Sequence, residues 1–325
     1  MMPAMPPIPL LLLGIACAGL MGYAIQRGAT CMVAAMDELV SKRKATRLIA
    51  LVEAAAIVAG GLALARLDGH LAMEPVTYAI TASTVAGGVL LGLGAFWAGA
   101  CVFGAIARLG SGQWAYALVP TGFFLGCLIA GPVLRAAPAM ASNGMSPVFV
   151  AASWLTVPLG LLLLWRAAKA YGHARSGQLA SYVWSPHVAT AVIGLTFVIL
   201  LLAVGPWSYT EYLASAARGM SSGASWKGLL FVALLGGAIV GGWTAGRLKA
   251  IVPTPADLAR CLGGGALMGA GSVLIPGSND GLILIGTPLL HLYAWVALGV
   301  MALTIVVAML IQRRAKSVAG VKQKA

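Results

Sequence analysis

Residues 87–112, GGVLLGLGAFWAGACVFGAIARLGSG, decide the fold, and residues 264–289, GGALMGAGSVLIPGSNDGLILIGTPL, repeat their pattern. Without a gap, Gly87, Gly88, Gly92, Gly94 and Gly104 fall on Gly264, Gly265, Gly269, Gly271 and Gly281, and Cys101 falls on Ser278. Each copy is a glycine-spaced apolar segment, a small-residue break carrying Cys or Ser, and a second apolar segment. In a bilayer such a break leaves backbone N–H and C=O groups unpaired, which hydrocarbon does not tolerate. It must be packed in protein or line a polar cavity. Glycines also let helices pack closely, and a single copy would say no more than that. Two broken segments at matching places in two halves point to the binding site of a transporter.

The rest of the chain agrees with a membrane setting. Of 325 residues, 60% are hydrophobic and only 9% charged, against roughly 25% charged in a soluble domain. Apolar runs long enough to span a bilayer recur along the whole length, and the mean hydropathy is +0.94. The net charge of +13 comes from Lys and Arg gathered in short loops, as the positive-inside rule expects. No basic surface with interleaved aromatics marks a nucleic-acid site. Lipid is the expected surrounding. The first apolar segment, residues 8–25, lacks an early basic region and reads as a membrane segment rather than a cleaved signal.

Basic clusters set the expected topology. Lys42, Arg43, Lys44 and Arg47, then Arg166, Lys169, His173 and Arg175, and finally Arg313, Arg314, Lys316, Lys322 and Lys324 should face the cytoplasm. The loop with Asp68, His70 and Glu74 should lie outside, and a Pro/Ser/Asn loop is expected at 138–147. Trp207, Tyr209, Tyr212 and Trp226 read as an interface belt. Residues 229–246, ending in Arg247, are expected to match residues 8–25, which end near Arg27. The fold class is an all-α polytopic membrane protein of roughly nine transmembrane helices, with broken or re-entrant helix–loop elements. Residues 1–325 form a single membrane domain, whose halves at about 8–165 and 187–311 are joined by a basic cytoplasmic loop, 166–186. A crossing is expected at 148–165.

The five cysteines form no CxxC pair and the four histidines are scattered, so no metal site and no cofactor is expected. Cys17, Cys127 and Cys261 read as small buried hydrophobes. Cys31 and Cys101 differ, because each follows a short run of Gly, Ala or Thr at a break. A turn there exposes N–H groups, and a helix starting after it adds a positive dipole end, which together favour an anion. Ser278 and Asn279 occupy the equivalent place in the second half. A thiol offers a weak donor and a soft acceptor, which suits a sulfur atom better than a hard phosphate. Gly99 and Gly277 allow close backbone approach, and Arg27 and Arg108 would raise the local anion concentration or anchor loops at the interface. Glu53 and Asp280 are carboxylates at membrane depth, candidates for ion coupling or for structural pairing.

The pieces GYAIQRGATC (22–31), residues 87–112, and GGALMGAGSVLIPGSNDG (264–281) together resemble the YeeE/YedE family of membrane transporters, over about Gly14 to Val307. The resemblance implies thiosulfate uptake across a bacterial inner membrane by an hourglass-shaped helical protein with pseudo-twofold halves. It also implies three motif cysteines near a waist, and a cytoplasmic sulfur-carrier partner of the TusA type. Cys31 and Cys101 stand in two of those positions, whereas the third, usually Gly-Gly-Cys, reads Pro276-Gly277-Ser278. Ala100 replaces a usual glycine. Serine donates and accepts hydrogen bonds but forms no persulfide. The expected function is a permease, not an enzyme, for a small sulfur-containing anion, with thiosulfate first. A permease for another sulfur or selenium compound or another small solute is one alternative. A membrane sulfur-transfer enzyme with a persulfide on Cys31 or Cys101 is the other.

Overall fold

The computed structural model describes residues 5–28, 31–71, 75–134, 141–142, 145–175, 184–220 and 223–322. Thr30, Glu74, Lys324 and residues 138–140, 143–144 and 176–183 of the expected loops 138–147 and 166–186 lie outside these residues. The chain is helical almost throughout. In order, the helices are α1 (Ile8–Gly28), α2 (Met32–Lys42), α3 (Thr46–Leu67), α4 (Ala82–Ala98), α5 (Val102–Gly110) and α6 (Leu118–Leu134). The short α7 (Pro147–Val150) and the long α8 (Ala152–Arg175) follow. Next come α9 (Pro186–Val204), α10 (Tyr209–Ala217), α11 (Ala224–Thr244) and α12 (Pro255–Leu274). The last are α13 (Ser278–Gly286), whose second half is π-helical, and α14 (Leu292–Lys322). The strands β1 (Thr77–Tyr78) and β2 (Ala141–Ser142) form one small antiparallel pair.

Seven helices or helix pairs among the described residues are long and apolar enough to cross a membrane. Counting the pair α12–α13, bent by 59°, as a span makes eight. This is a multi-pass membrane protein. The expected crossing at 148–165 is helical, but it is not among these spans. The apolar part of α8 is short before Trp165 and Arg166, and the helix simply continues to Arg175. The first part of the expected basic loop is therefore helix. Leu12, Leu64, Ile129, Val133, Val232 and Leu303 are exposed on the outer surface, as a lipid-facing shell requires.

Four times a long helix breaks and a short one follows: α1 then α2, α4 then α5, α9 then α10, and α12 then α13. The residues opening the first three short helices, Cys31, Cys101 and Ser208, are extended, as an N-cap should be. The helices sort into two packed groups. In one, α1 lies on α11 and α9, and α9 lies on α3. In the other, α12 lies on α6 and α4, and α4 lies on α14. Three short helices bridge the groups, α2 on α14 and α3, α10 on α6 and α11, α13 on α14 and α3, whereas α5 lies mainly on α1 and α11 and reaches α6 less closely. All four breaks are thereby drawn to the seam. The close crossing of α4 on α12 depends on glycine, since a Cβ at Gly94 would stand 2.6 Å from the carbonyl oxygen of Gly264.

The register of the helices corrects one expectation. Cys101 and Ser278 are 177 positions apart (278 minus 101). The same step carries α1 onto α9, α2 onto α10 and α3 onto α11 within a few residues at each end. Residues 229–246 therefore correspond to α3, not to residues 8–25. The shared ending in arginine misled, because helix order and break position set the register.

Ion pairs tie the basic ends together. Arg313 on α14 reaches Asp37 at 3.2 Å, the carbonyl of Val40 at 3.4 Å, and the Ser41 hydroxyl. Glu53 on α3 accepts from Arg166 on α8 and lies 3.0 Å from Nδ1 of His187 on α9. This half-buried carboxylate is thus a structural tie joining three helices. Removing one partner of a buried pair strands the other. Glu53→Ala should lower thermal stability by about 2 kcal/mol, below the full range because the pair is partly solvated. Uptake per folded molecule should not change; a drop in that ratio with a normal melting temperature would return Glu53 to the coupling candidates.

Candidate functional site

The site is built where α2 and α5 begin. Cys31 and Cys101 are both buried and face each other in a reciprocal arrangement. The backbone N–H of Met32 donates to Sγ of Cys101 at 3.4 Å, and the N–H of Cys101 donates to Sγ of Cys31 at 3.3 Å. Each sulfur thus lies at the positive end of the other's helix, among N–H groups that the helix itself leaves free. Sequence placed both residues at breaks, and the fold brings them together. Gly104, one turn into α5, makes room for this pair: a Cβ there would stand 2.4 Å from Sγ of Cys31.

The other predicted residues take distinct places. Gly99 caps α4 with φ of 73°, in the left-handed region that glycine enters without strain. Gly277 has φ of 86°, and Ser278 follows it at φ of 53°. A side chain in that conformation costs about 1–2 kcal/mol, so the second break carries strain that the first does not. Ser278, Asn279 and Asp280 are all buried. Arg27 lies over the rings of Trp184 and Tyr23, at 5.2 Å and 5.9 Å, and no described contact joins it to the cysteines. Arg108 donates to the hydroxyl of Tyr116 at 2.8 Å, which in turn donates to the carbonyl of Ala98 at 3.1 Å. Arg108 and Tyr116 therefore brace the last turn of α4 beside Gly99.

Asp280 is a clamp. Its carboxylate accepts from the N–H of Thr210 at 3.1 Å, from the Thr210 hydroxyl, and from the N–H of Gly281 at 3.1 Å. It fastens the start of α10 to the start of α13, and its described hydrogen-bond partners are neutral. Asp280→Ala would strand two backbone donors in the core, at about 1–3 kcal/mol for each unsatisfied group. A loss of about 3 kcal/mol in thermal unfolding is expected. A melting temperature unchanged from wild type would show that α10 is held by other contacts.

The expectation of an interface belt at Trp207, Tyr209, Tyr212 and Trp226 is corrected. Trp207, Tyr209 and Trp226 are buried, and Tyr209 and Tyr212 pack on Phe231 at 5.6 Å and 6.2 Å. Trp226 stands in the first turn of α11, whereas Trp207, Tyr209 and Tyr212 belong to the third break, where α10 turns back into the seam. Sequence reading missed Ser208 there; the step of 177 from Cys31 lands on it. Cys17, Cys127 and Cys261 are free and buried, and Cys127 donates to the carbonyl of Gly269 at 3.5 Å.

Two cavities reach the breaks. One of about 330 Å³ is lined by Val33, Asp37, Trp97, Gly99, Arg260 and Arg313. The other, about 220 Å³, is lined by Trp207, Ser208, Glu211, Tyr212 and Lys227. Among the described residues no group of three or more His, Cys, Asp or Glu could hold a metal ion.

Buried broken helices meeting between two helical groups, with a cavity reaching the breaks from each of two places, define a membrane transporter. A family model described as sulphur transport matches residues 27–307. The chain belongs to this family, the YeeE/YedE family that its motifs resemble. It is also similar to the thiosulfate transporter TsuA of Spirochaeta thermophila, at 27% identity over 314 residues, covering 87% of this chain and 93% of that one.

Proposed function

We propose that this chain carries thiosulfate across a bacterial inner membrane, passing it through the seam by hydrogen bonds from Cys31, Cys101, Ser278 and Asn279. The observation that carries the reading is the reciprocal Cys31–Cys101 pair, two buried sulfurs each set among backbone donors. A soft sulfur end of an anion finds soft partners there, and no full positive charge holds it. Sites that bind weakly in series permit release as well as entry. Gly99 and Gly277 keep the backbone close to the path, whereas Arg27, held on aromatic rings, acts at the entrance at most. The similarity to a thiosulfate transporter supports the same substrate. Residues 8–165 and 187–311 act as two pseudo-symmetric halves of one membrane domain, 1–325.

A dianion moving into a negative interior works against about 2.3 kcal/mol per charge per 100 mV, roughly 4.6 kcal/mol for two charges. Uptake by a passive relay then needs consumption inside, for which a sulfur carrier of the TusA type is the proposed partner. Against the persulfide alternative stands burial: neither thiol is open to a soluble sulfur donor, although each lies at a helix N-terminus that would favour its thiolate.

The test is uptake of radiolabelled thiosulfate into proteoliposomes, with sulfate, sulfite and selenite as competitors. Saturable uptake, blocked by thiol alkylation, supports the reading. No uptake by folded protein would mean that the change to Ser278 moved the substrate within the family.

A further inference from the structure

The two halves offer opposite chemistry at matching positions. In the first half the breaks are followed by Cys31-Met32 and Cys101-Val102. One step of 177 later stand Ser208-Tyr209 and Ser278-Asn279. Soft and apolar groups in one half are replaced by hydroxyls, a phenol and a carboxamide in the other.

Two members of the polar set are buried and unsatisfied. The hydroxyl of Tyr209 and both amide atoms of Asn279 have no hydrogen-bond partner in the protein, although Tyr209 is 2% exposed and Asn279 0%. Buried polar groups are nearly always paired, so orphans gathered beside one seam mark a place where something else supplies the partner. Space exists on the same helix as Asn279. Gly281 is buried, yet a Cβ built on it meets no atom within 4 Å. Its counterpart Gly104 is filled by the Cys31 sulfur. Tyr209 and Asn279 are brought near each other by the adjoining bond of the Thr210 N–H to Asp280, and α13 packs on both α10 and α5. Asp280 is not the partner of these donors: its hydrogen bonds go to Thr210 and Gly281.

We infer that Tyr209 and Asn279, with the space beside Gly281, form a pocket for the oxygen end of a sulfur oxyanion. The inference rests on the proposed thiosulfate reading and extends it. The anion is read end-on, its terminal sulfur toward Cys31 and Cys101 and its sulfonate oxygens toward the phenol and carboxamide. Neutral donors suffice, and they hold the ion without trapping it. A chain with serine in place of the third thiol thereby keeps a directional site: the hard half grips oxygen where a third cysteine would grip sulfur.

The test uses purified full-length protein in detergent and the same protein in proteoliposomes. Thermal stabilisation by added thiosulfate, against chloride at matched ionic strength, gives an apparent Kd, and radiolabelled uptake gives KM. Tyr209→Phe and Asn279→Val should each raise Kd and KM about tenfold, the loss of one hydrogen bond to an ion. Without ligand their melting temperatures should equal or exceed that of wild type, because an unpaired buried polar group is removed; a structural role would lower them. An unchanged Kd in both variants overturns the pocket whether or not transport is seen, as does a wild type that neither thiosulfate nor sulfite stabilises. A wild type that binds thiosulfate in a Tyr209-dependent way but does not carry it overturns the transport reading and upholds the pocket.

Discussion

Cys101→Ala should reach the membrane normally and lose at least tenfold of its thiosulfate uptake. The side chain is 0% exposed and its sulfur accepts from the N–H of Met32. Removing it deletes one partner of the anion, and a hydrogen bond to a charged group is worth about 1.5–3 kcal/mol, a factor of ten to a hundred or more. It also strands one backbone donor and opens a small cavity. The cost in stability should stay near 1–2 kcal/mol, because only one sulfur atom is lost. Uptake normalised to inserted protein separates the two effects. Cys101→Ser sharpens the test. A hydroxyl still donates and accepts, so a hydrogen-bond relay should keep part of its activity. A persulfide mechanism should keep none. Unchanged uptake in Cys101→Ala would remove the residue from the path.

How much of this site could be read beforehand depends on which residues have a local signature. The broken segments around Cys101 and Ser278 were legible because glycine spacing and small residues persist without a gap over 26 positions. Burial in the bilayer forces such a pattern, since backbone breaks need close packing or polar cover. The pairing of Cys31 with Cys101 was not legible: no local rule brings together residues 70 positions apart. The break between α9 and α10 went unseen because Gly205-Pro206-Trp207-Ser208 and the tyrosines after it look like a segment at the membrane surface. Aromatic residues favour interfaces and buried polar seams for the same reason, an apolar body with a polar tip. The decisive signal was long-range. Applied to Cys31, the step that links Cys101 to Ser278 finds Ser208, and with it Tyr209. Tyr116 also left no trace in the sequence, because its bond to Ala98 exists only when the turn after α5 folds back.

Gly104→Ala is expected to abolish most uptake while leaving both thiols in the chain. The added methyl would stand 2.4 Å from Sγ of Cys31, 2.9 Å from its Cβ and 3.1 Å from Cβ of Ala100. The first two distances are too short to survive, so Cys31 must move away from Cys101. By intrinsic preference alanine should improve α5, by about 0.8–1 kcal/mol over glycine. Overpacking works against this by about 1–3 kcal/mol, and the variant should fold with a modestly lower melting temperature. Its uptake should fall at least tenfold, because a shift of one sulfur by the width of a bond breaks the reciprocal contact. The double variant Gly104→Ala with Cys31→Gly separates packing from function. Removing the Cys31 side chain relieves the clash, so thermal stability should recover while uptake stays low. Recovery of both would show that the fit of α5 mattered and the thiol did not. Full uptake in Gly104→Ala alone would show that the two sulfurs need not touch, and that the anion passes each of them separately.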